Sequence, residues 1–319
     1  MVNEQKNYKE EILRTLYRAD GETISGVRLS ETLNISRVAV WKHIKALKES
    51  GFDIESRPKG YVLLHPDDLL LPFCFKKKFQ NRIFHFQELE STMDKAKFLV
   101  KNDAHHLSVV IAEKQTMGRG RLNRKWFSSK GGLWFTLILK PKTPPQLSYI
   151  YNFAASLSLS RSLKRLFDVD VCVKWPNDLL LNGNKLVGLL SEMETRGDMV
   201  EFLNIGMGIN VNNQPQKHEP NAISLKDVLQ KSVSRKLILE TFLDDFETIV
   251  HPPLQTSNCH KIIKQWKEMT STIGSRVRVE TITEVHEGLA VDVDETGALM
   301  IKDKAGKIQK IIYGDCFHT

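Results

Sequence analysis

The 319-residue chain is 41% apolar and 26% charged, which supplies a substantial core for two or three domains and excludes a disordered chain. Its net charge of +8 suits a polyanionic partner such as DNA or nucleotide, and serves solubility equally well. No apolar run approaches the ~20 residues of a membrane span, residues 1–20 lack a signal core, and Cys74, Cys172, Cys259 and Cys316 have no paired spacing, so we expect a cytoplasmic protein with reduced thiols and no metal cluster.

In residues 8–18, Ile12, Leu13 and Leu16 recur at helical spacing, and Asp20-Gly21 ends that helix. Ser25 is placed to cap a second helix running to Leu33, with Val27, Leu29 and Leu33 facing inward. After the short turn at Asn34-Ile35, Ser36 caps a third helix. It sets Val40, Ile44 and Leu47 on a core face and leaves Arg37, Lys42 and Lys45 for phosphates or base edges. Residues 52–56 and 60–64 read as a hairpin with a basic tip, Arg57-Pro58-Lys59-Gly60. That order of elements predicts a winged helix-turn-helix over residues 1–65, with Arg37, Lys42, Lys45, Arg57 and Lys59 as candidate DNA contacts. The plainer reading is a solvated basic face on a small interaction domain. His65-Pro66-Asp67-Asp68 reads as a linker.

A strand over residues 84–90 leads to Ser91-Thr92-Met93-Asp94, where Ser91 or Thr92 caps a helix and Asp94 suits a capping box. Val109-Val110-Ile111-Ala112 is a buried strand that presents Gln115 at its end. Next comes Gly118-Arg119-Gly120-Arg121-Leu122-Asn123-Arg124-Lys125-Trp126, a loop built to hold an anion. Without an anion, Arg119, Arg121 and Arg124 should repel one another. A central strand over 131–139 and a long helix over 151–167 look structural. Lys174-Trp175-Pro176-Asn177-Asp178 then closes a strand, and Asn182-Gly183 turns a hairpin back through Lys185-Leu186-Val187-Gly188. Simple alternation sets Lys185 on the face opposite Gly188. In Gly206-Met207-Gly208-Ile209-Asn210 the two glycines and Asn210 share a face open to a planar ring. Further helices span residues 230–267, and short strands from Gly274 onward read as a small barrel.

The glycine-arginine loop, Lys174 to Asp178, Lys185 to Gly188 and Gly206 to Asn210 together resemble the biotin protein ligases, over nearly the whole chain. Ser36-Arg37, Ala39 to Lys42 and Ile44 are similar to the reading helix of the ligases that double as repressors. The resemblance implies an α+β protein of three domains: a winged helix-turn-helix (1–65), a mixed-sheet biotin/lipoate-ligase-like catalytic domain (66–271) and an SH3-like barrel (272–319). It also implies an ATP- and Mg²⁺-dependent enzyme that makes biotinyl-5′-adenylate and transfers biotin to a lysine of the biotin carboxyl carrier protein of acetyl-CoA carboxylase. Operator DNA of biotin genes and a ligand-promoted homodimer are the further partners implied. Ser91 and Thr92, with Met93 beside them, hold the ureido ring, Gln115 contacts biotin, and Gly118, Arg119, Gly120 and Arg121 close over it, with Lys185 and Gly188 on the wall.

Activation of a carboxylate at a phosphate brings two anions together, so cations must offset the repulsion. Lys185 is the main candidate, with Arg121, Arg119 and Arg124 on the phosphates and Trp126, Asn177 and Asn210 completing the adenylate site. An acceptor lysine with a pKa of about 10.4 needs a proton acceptor, for which Asp178 is placed. A lipoate ligase is the nearest enzymatic rival, and a nucleotide-sensing regulator without transferase activity is the non-enzymatic one.

Overall fold

The computed structural model describes residues 7–102, 104–251 and 256–319. The chain parts into two compact units, the first ending at Asn81 and the second beginning at Arg82.

In the first unit, α1 (Tyr8–Arg18), α2 (Gly26–Leu33) and α3 (Arg37–Glu49) precede a two-stranded ribbon, β1 (Ile54–Arg57) and β2 (Gly60–Leu63). Ser25 and Ser36 cap α2 and α3 by accepting from the Arg28 and Ala39 N–H groups. Ile12, Leu16, Leu29, Leu33, Val40, Ile44 and Leu47 form one core. Val27 departs from expectation and is 44% exposed. Two residues from Leu29, it falls on the opposite side of the helix, which the spacing i, i+2 imposes. Gly60 has φ +149°, and any Cβ there would lie 2.1 Å from the Ile24 oxygen, where Ile24 and Tyr61 exchange backbone hydrogen bonds. Beyond His65 the chain makes a short 3-10 turn at Pro66–Asp68, and Leu69, Leu71 and Phe73 pack against the core of this unit before α4 (Lys77–Gln80).

The second unit is built on a seven-stranded mixed sheet. Its strands are β3 (Ile83–Leu89), β4 (Ser108–Gln115), β5 (Leu133–Leu139), β6 (Val171–Lys174), β7 (Asp178–Leu181), β8 (Asn184–Arg196) and β9 (Met199–Ile209). They lie in the order β3-β4-β5-β9-β8-β7-β6, and β3 with β4 is the parallel pair. Every residue of β5 is buried, as a central strand covered on both faces requires. Ala96 and Val100 of α5 (Thr92–Val100) pack in one cluster with Ile138. Phe242 of α8 (Arg235–Val250) meets Phe135, which alternation puts on the other face of β5. The helix α6 (Tyr149–Phe167) packs against both α8 and α9 (Thr256–Lys267), and the short α7 (Leu225–Leu229) precedes α8 in the chain. Asn182 (φ 51°) and Gly183 (φ 76°) make the expected hairpin turn between β7 and β8.

The chain ends in five antiparallel strands, β10 (Arg276–Glu280), β11 (Val285–Val293), β12 (Leu299–Lys302), β13 (Ile308–Ile311) and β14 (Asp315–His318). The expected barrel is here an open ladder, β13-β12-β11-β10-β14, with β13 and β14 at its edges. Trp175 joins it to the large sheet, its Nε1 donating to the Gly297 oxygen at 3.0 Å. Among the described residues no helix is long and apolar enough to cross a membrane.

Candidate active site

Residues from α5, the ends of β4 and β6, the β7–β8 hairpin, β9 and β14 line one cavity of about 520 Å³, a size usual for small-molecule sites. Its wall falls into a neutral group and a charged group.

The neutral group sits at the start of α5. Ser91 caps the helix, its Oγ accepting from the Met93 N–H at 3.2 Å. Gln115 Oε1 accepts from both Thr92 N–H (2.8 Å) and Thr92 Oγ1 (3.0 Å), and Gln115 Nε2 donates to Ser128 Oγ. Thr136 Oγ1 donates to Thr92 Oγ1 in turn. The Thr92 proton is therefore committed within the wall, while Ser91 accepts and keeps its own proton to give. Buried Met93 rests on Gly206, where a Cβ would stand 2.7 Å from its sulfur.

Gly188 and Gly208 lie directly opposite each other on β8 and β9, and the indole of Trp126 lies on the flat spot they leave. A Cβ on Gly208 would come within 2.3 Å of Trp126 Nε1, and one on Gly188 within 2.9 Å of the ring. The glycines do admit a planar ring, and the ring that lies on them is the Trp126 indole. Trp126 Nε1 is buried and makes no hydrogen bond to the described residues.

Lys185 shares this wall, against the alternation argument. The pairing runs Leu179 with Val187 but Leu180 with Lys185, so Leu186 is an extra residue, a β-bulge that re-aims the side chain before it. Lys185 Nζ comes 5.3 Å from the Trp126 ring centroid and 2.8 Å from Asp178 Oδ1, a charge contact without hydrogen-bond alignment.

The arginines are not left to repel one another. Arg119 binds Asp94 at 2.7 Å and Glu192 at 3.0 Å, and these hydrogen bonds push its pKa further up. Asp94, spaced for a capping box, is thus turned to the loop instead. Arg124 reaches Asp315 at 2.7 Å, and Arg121 donates to the Gly314 oxygen at 2.9 Å and to Asn177 Oδ1 at 3.4 Å. Burial pulls the Arg121 pKa down, while Asp315 and Asp178 support its charge. The loop's cations are therefore held by carboxylates far away in sequence.

Of the residues picked out by sequence, Ser91, Thr92, Met93, Gln115, Arg119, Gly120, Arg121, Arg124, Trp126, Asn177, Asp178, Lys185, Gly188 and Asn210 all line this cavity. Gly118 does not: it is buried behind the loop, accepting from the Trp126 N–H at 2.8 Å, and a Cβ would stand 2.5 Å from the Trp126 oxygen. Asp315, Cys316, Phe317 and His318 are wall residues that no motif marked. Burial pushes the Cys316 thiol up to about 11 against the pull of Lys174, so it is no thiolate nucleophile. Behind the site, Glu113 accepts from Arg235 at 2.6 Å and lies 3.1 Å from His85. Burial raises its pKa, but these partners outweigh it and hold the carboxyl at about 2.

In the first unit, Arg37, Lys42 and Lys45 are exposed on α3 and Arg57 and Lys59 on the ribbon. Arg57 is paired with Glu55 at 2.7 Å, and Lys45 stands 3.9 Å from Glu49.

Comparison with known proteins agrees with both units. The model of the biotin/lipoate A/B protein ligase family matches residues 83–212, that of an HTH domain residues 9–62, and that of the biotin protein ligase C-terminal domain residues 272–319. The bifunctional ligase/repressor BirA of Bacillus subtilis is 34% identical, covering 96% of this chain and 97% of its own. That of Salmonella typhimurium is 30% identical over 89% of this chain and 90% of its own. The structure of the Aquifex aeolicus biotin protein ligase in complex with biotin and ATP superposes with a TM-score of 0.63 at 25% identity, covering 75% of this chain and 99% of that one. With its helix-turn-helix, catalytic and C-terminal regions each matched and its full-length relatives bifunctional, the chain belongs to the biotin protein ligase family, in the ligase/repressor group of BirA.

Proposed function

We propose that the second unit joins biotin to ATP as biotinyl-5′-adenylate, releases pyrophosphate, and passes the biotinyl group to a lysine of the biotin carboxyl carrier protein. The observation that carries this reading is the convergence, on one cavity, of a neutral hydrogen-bonding wall with Lys185, Arg121 and Asp178.

The neutral wall takes the ureido ring. Ser91 donates to its oxygen, and the Thr92–Gln115–Ser128 network holds the remaining polar atoms in place. The carboxylate oxygen then attacks the α-phosphorus, a new O–P bond forms, and the bond to the bridging oxygen of pyrophosphate breaks. Lys185 stabilises charge on the α-phosphate oxygens, and Arg121 and Arg124 offset that of the phosphates. Mg²⁺ bound with the nucleotide would offset the charge on the departing pyrophosphate. The cavity carboxylates Asp178 and Asp315 are each opposed by a cation, so the nucleotide phosphates would be the main groups to hold that ion. Trp126 and Asn210, both on the cavity wall, flank the adenylate. In the second step Asp178 accepts a proton as the acceptor amine attacks the carbonyl carbon and AMP leaves.

The first unit binds operator DNA, with α3 in the major groove and the Arg57–Lys59 tip on the backbone. One reading helix per chain spans a half-site, which supports a homodimer on a two-fold operator, and likeness to the ligase/repressor relatives supports its promotion by ligand. A nucleic-acid partner and a carrier-protein acceptor both support a cytoplasmic location. Biotin-dependent exchange of labelled pyrophosphate into ATP tests the first step. Exchange with biotin and none with lipoate is expected; exchange without biotin would overturn the reading.

A further inference from the structure

The exposed face of α3 is not simply basic. Val38, Trp41, Lys42 and Lys45 recur at i, i+3, i+4 and i+7 and so form one continuous stripe. The core residues Val40, Ile44 and Leu47 lie on the other side of the helix. Val38 is 63% exposed and Trp41 53% exposed, and neither belongs to the core cluster. Arg37 stands on the flank of this stripe, one residue before Val38 and a quarter-turn away. Lys45 Nζ lies 5.8 Å from the Trp41 ring centroid, so the indole carries a cation beside it on the helix surface.

A large aromatic ring and a branched side chain exposed side by side lose nothing by polar replacement unless something apolar covers them. The partner must also be anionic, because Lys42 and Lys45 on the stripe, with Arg37 beside it, are exposed. Duplex DNA combines the two: phosphates flank the major groove, and the thymine C5-methyl is the apolar group displayed on its floor. We propose that Val38 and Trp41 are specificity-determining residues that read thymine methyl groups, while the neighbouring cations supply sequence-independent affinity. This inference rests on the DNA-binding reading of the first unit.

The test uses the full chain with biotin and MgATP. A binding sequence is selected from a random duplex pool, and each thymine in it is then replaced singly by deoxyuridine, which removes one methyl and nothing else. Burial of a methyl group is worth about 0.8 kcal/mol, or roughly four-fold in affinity. Wild-type protein should lose about that factor at two or more thymines, and Trp41→Ala and Val38→Ala should each become blind to the methyl at one of them. Circular dichroism and the melting temperature of both variants should match wild type, since both side chains are exposed. Uracil duplexes that bind as tightly as thymine ones, or variants that still sense every methyl, would overturn the inference and leave DNA binding standing. Failure of the pool to converge on any sequence would sink the DNA reading itself. A Trp41→Ala variant that loses self-association without DNA, yet keeps methyl discrimination, would mean that a protein surface covers the stripe instead.

Discussion

Lys185 Nζ stands 2.8 Å from Asp178 Oδ1, a pair brought together by the single extra residue, Leu186, in β8. The proposed cation of the first step and the proposed proton acceptor of the second are thereby neighbours. Replacing Lys185 with Ala should lower biotin-dependent pyrophosphate exchange by about 10²–10³, the usual loss for one preorganised charge-stabilising donor. Asp178→Asn should slow transfer from preformed adenylate more than exchange. Equal effects on both steps would assign Asp178 to holding Lys185 alone.

The glycine platform makes a steric prediction. Gly208→Ala adds a Cβ 2.3 Å from Trp126 Nε1, so the indole must leave the sheet. We expect KM for ATP to rise at least ten-fold, in keeping with the loss of a shaped ring site, and Trp fluorescence to shift with it. Ala at Gly183, where nothing lies within 4 Å, isolates steric effects from those of its positive φ and should leave KM for biotin unchanged.

Asp315 opposes Arg124 at 2.7 Å and Arg121 at 3.8 Å from the edge strand β14. Asp315→Ala frees the Arg124 guanidinium and removes the carboxylate facing Arg121, which keeps its bonds to Gly314 and Asn177. KM for ATP should rise about three- to ten-fold with a smaller change in kcat, since positioning is lost and the charges remain. A fall in kcat alone would give Asp315 a part in the chemistry.

Glu113 carries a pH signature. Its folded-state pKa of about 2 lies below the ordinary 4.5, so its stabilisation is complete above pH 4.5 and is lost as pH falls toward 2. The shift corresponds to roughly 3 kcal/mol. Glu113→Gln should be less stable than wild type by about that amount in neutral urea titrations, with the gap closing below pH 4.5. A gap that stays constant with pH would contradict the ionic account.

Much of this was legible in the sequence because it is local. Caps at Ser25 and Ser36, the Asn182-Gly183 turn and the alternating glycines of β9 each depend on a few adjacent residues. What escaped is non-local or breaks a period. The bulge at Leu186 reverses the face of Lys185, and no spacing rule announces an inserted residue. The carboxylates that quench the arginine loop, Asp94, Glu192 and Asp315, are 25, 73 and 191 residues from the cations they meet, or nearly so for the other pairs. Residues 315–318 reach the cavity only because β14 pairs with β10 across the whole terminal ladder.

The most direct test of the central claim is incubation with MgATP, an apo biotin carrier domain and either biotin or lipoate, read by intact-mass spectrometry. Our account predicts biotinyl addition to one carrier lysine and none of lipoyl, with the biotinyl addition slowed by about 10²–10³ in the Lys185→Ala protein. Lipoyl addition, or biotinyl transfer undiminished without Lys185, would contradict it.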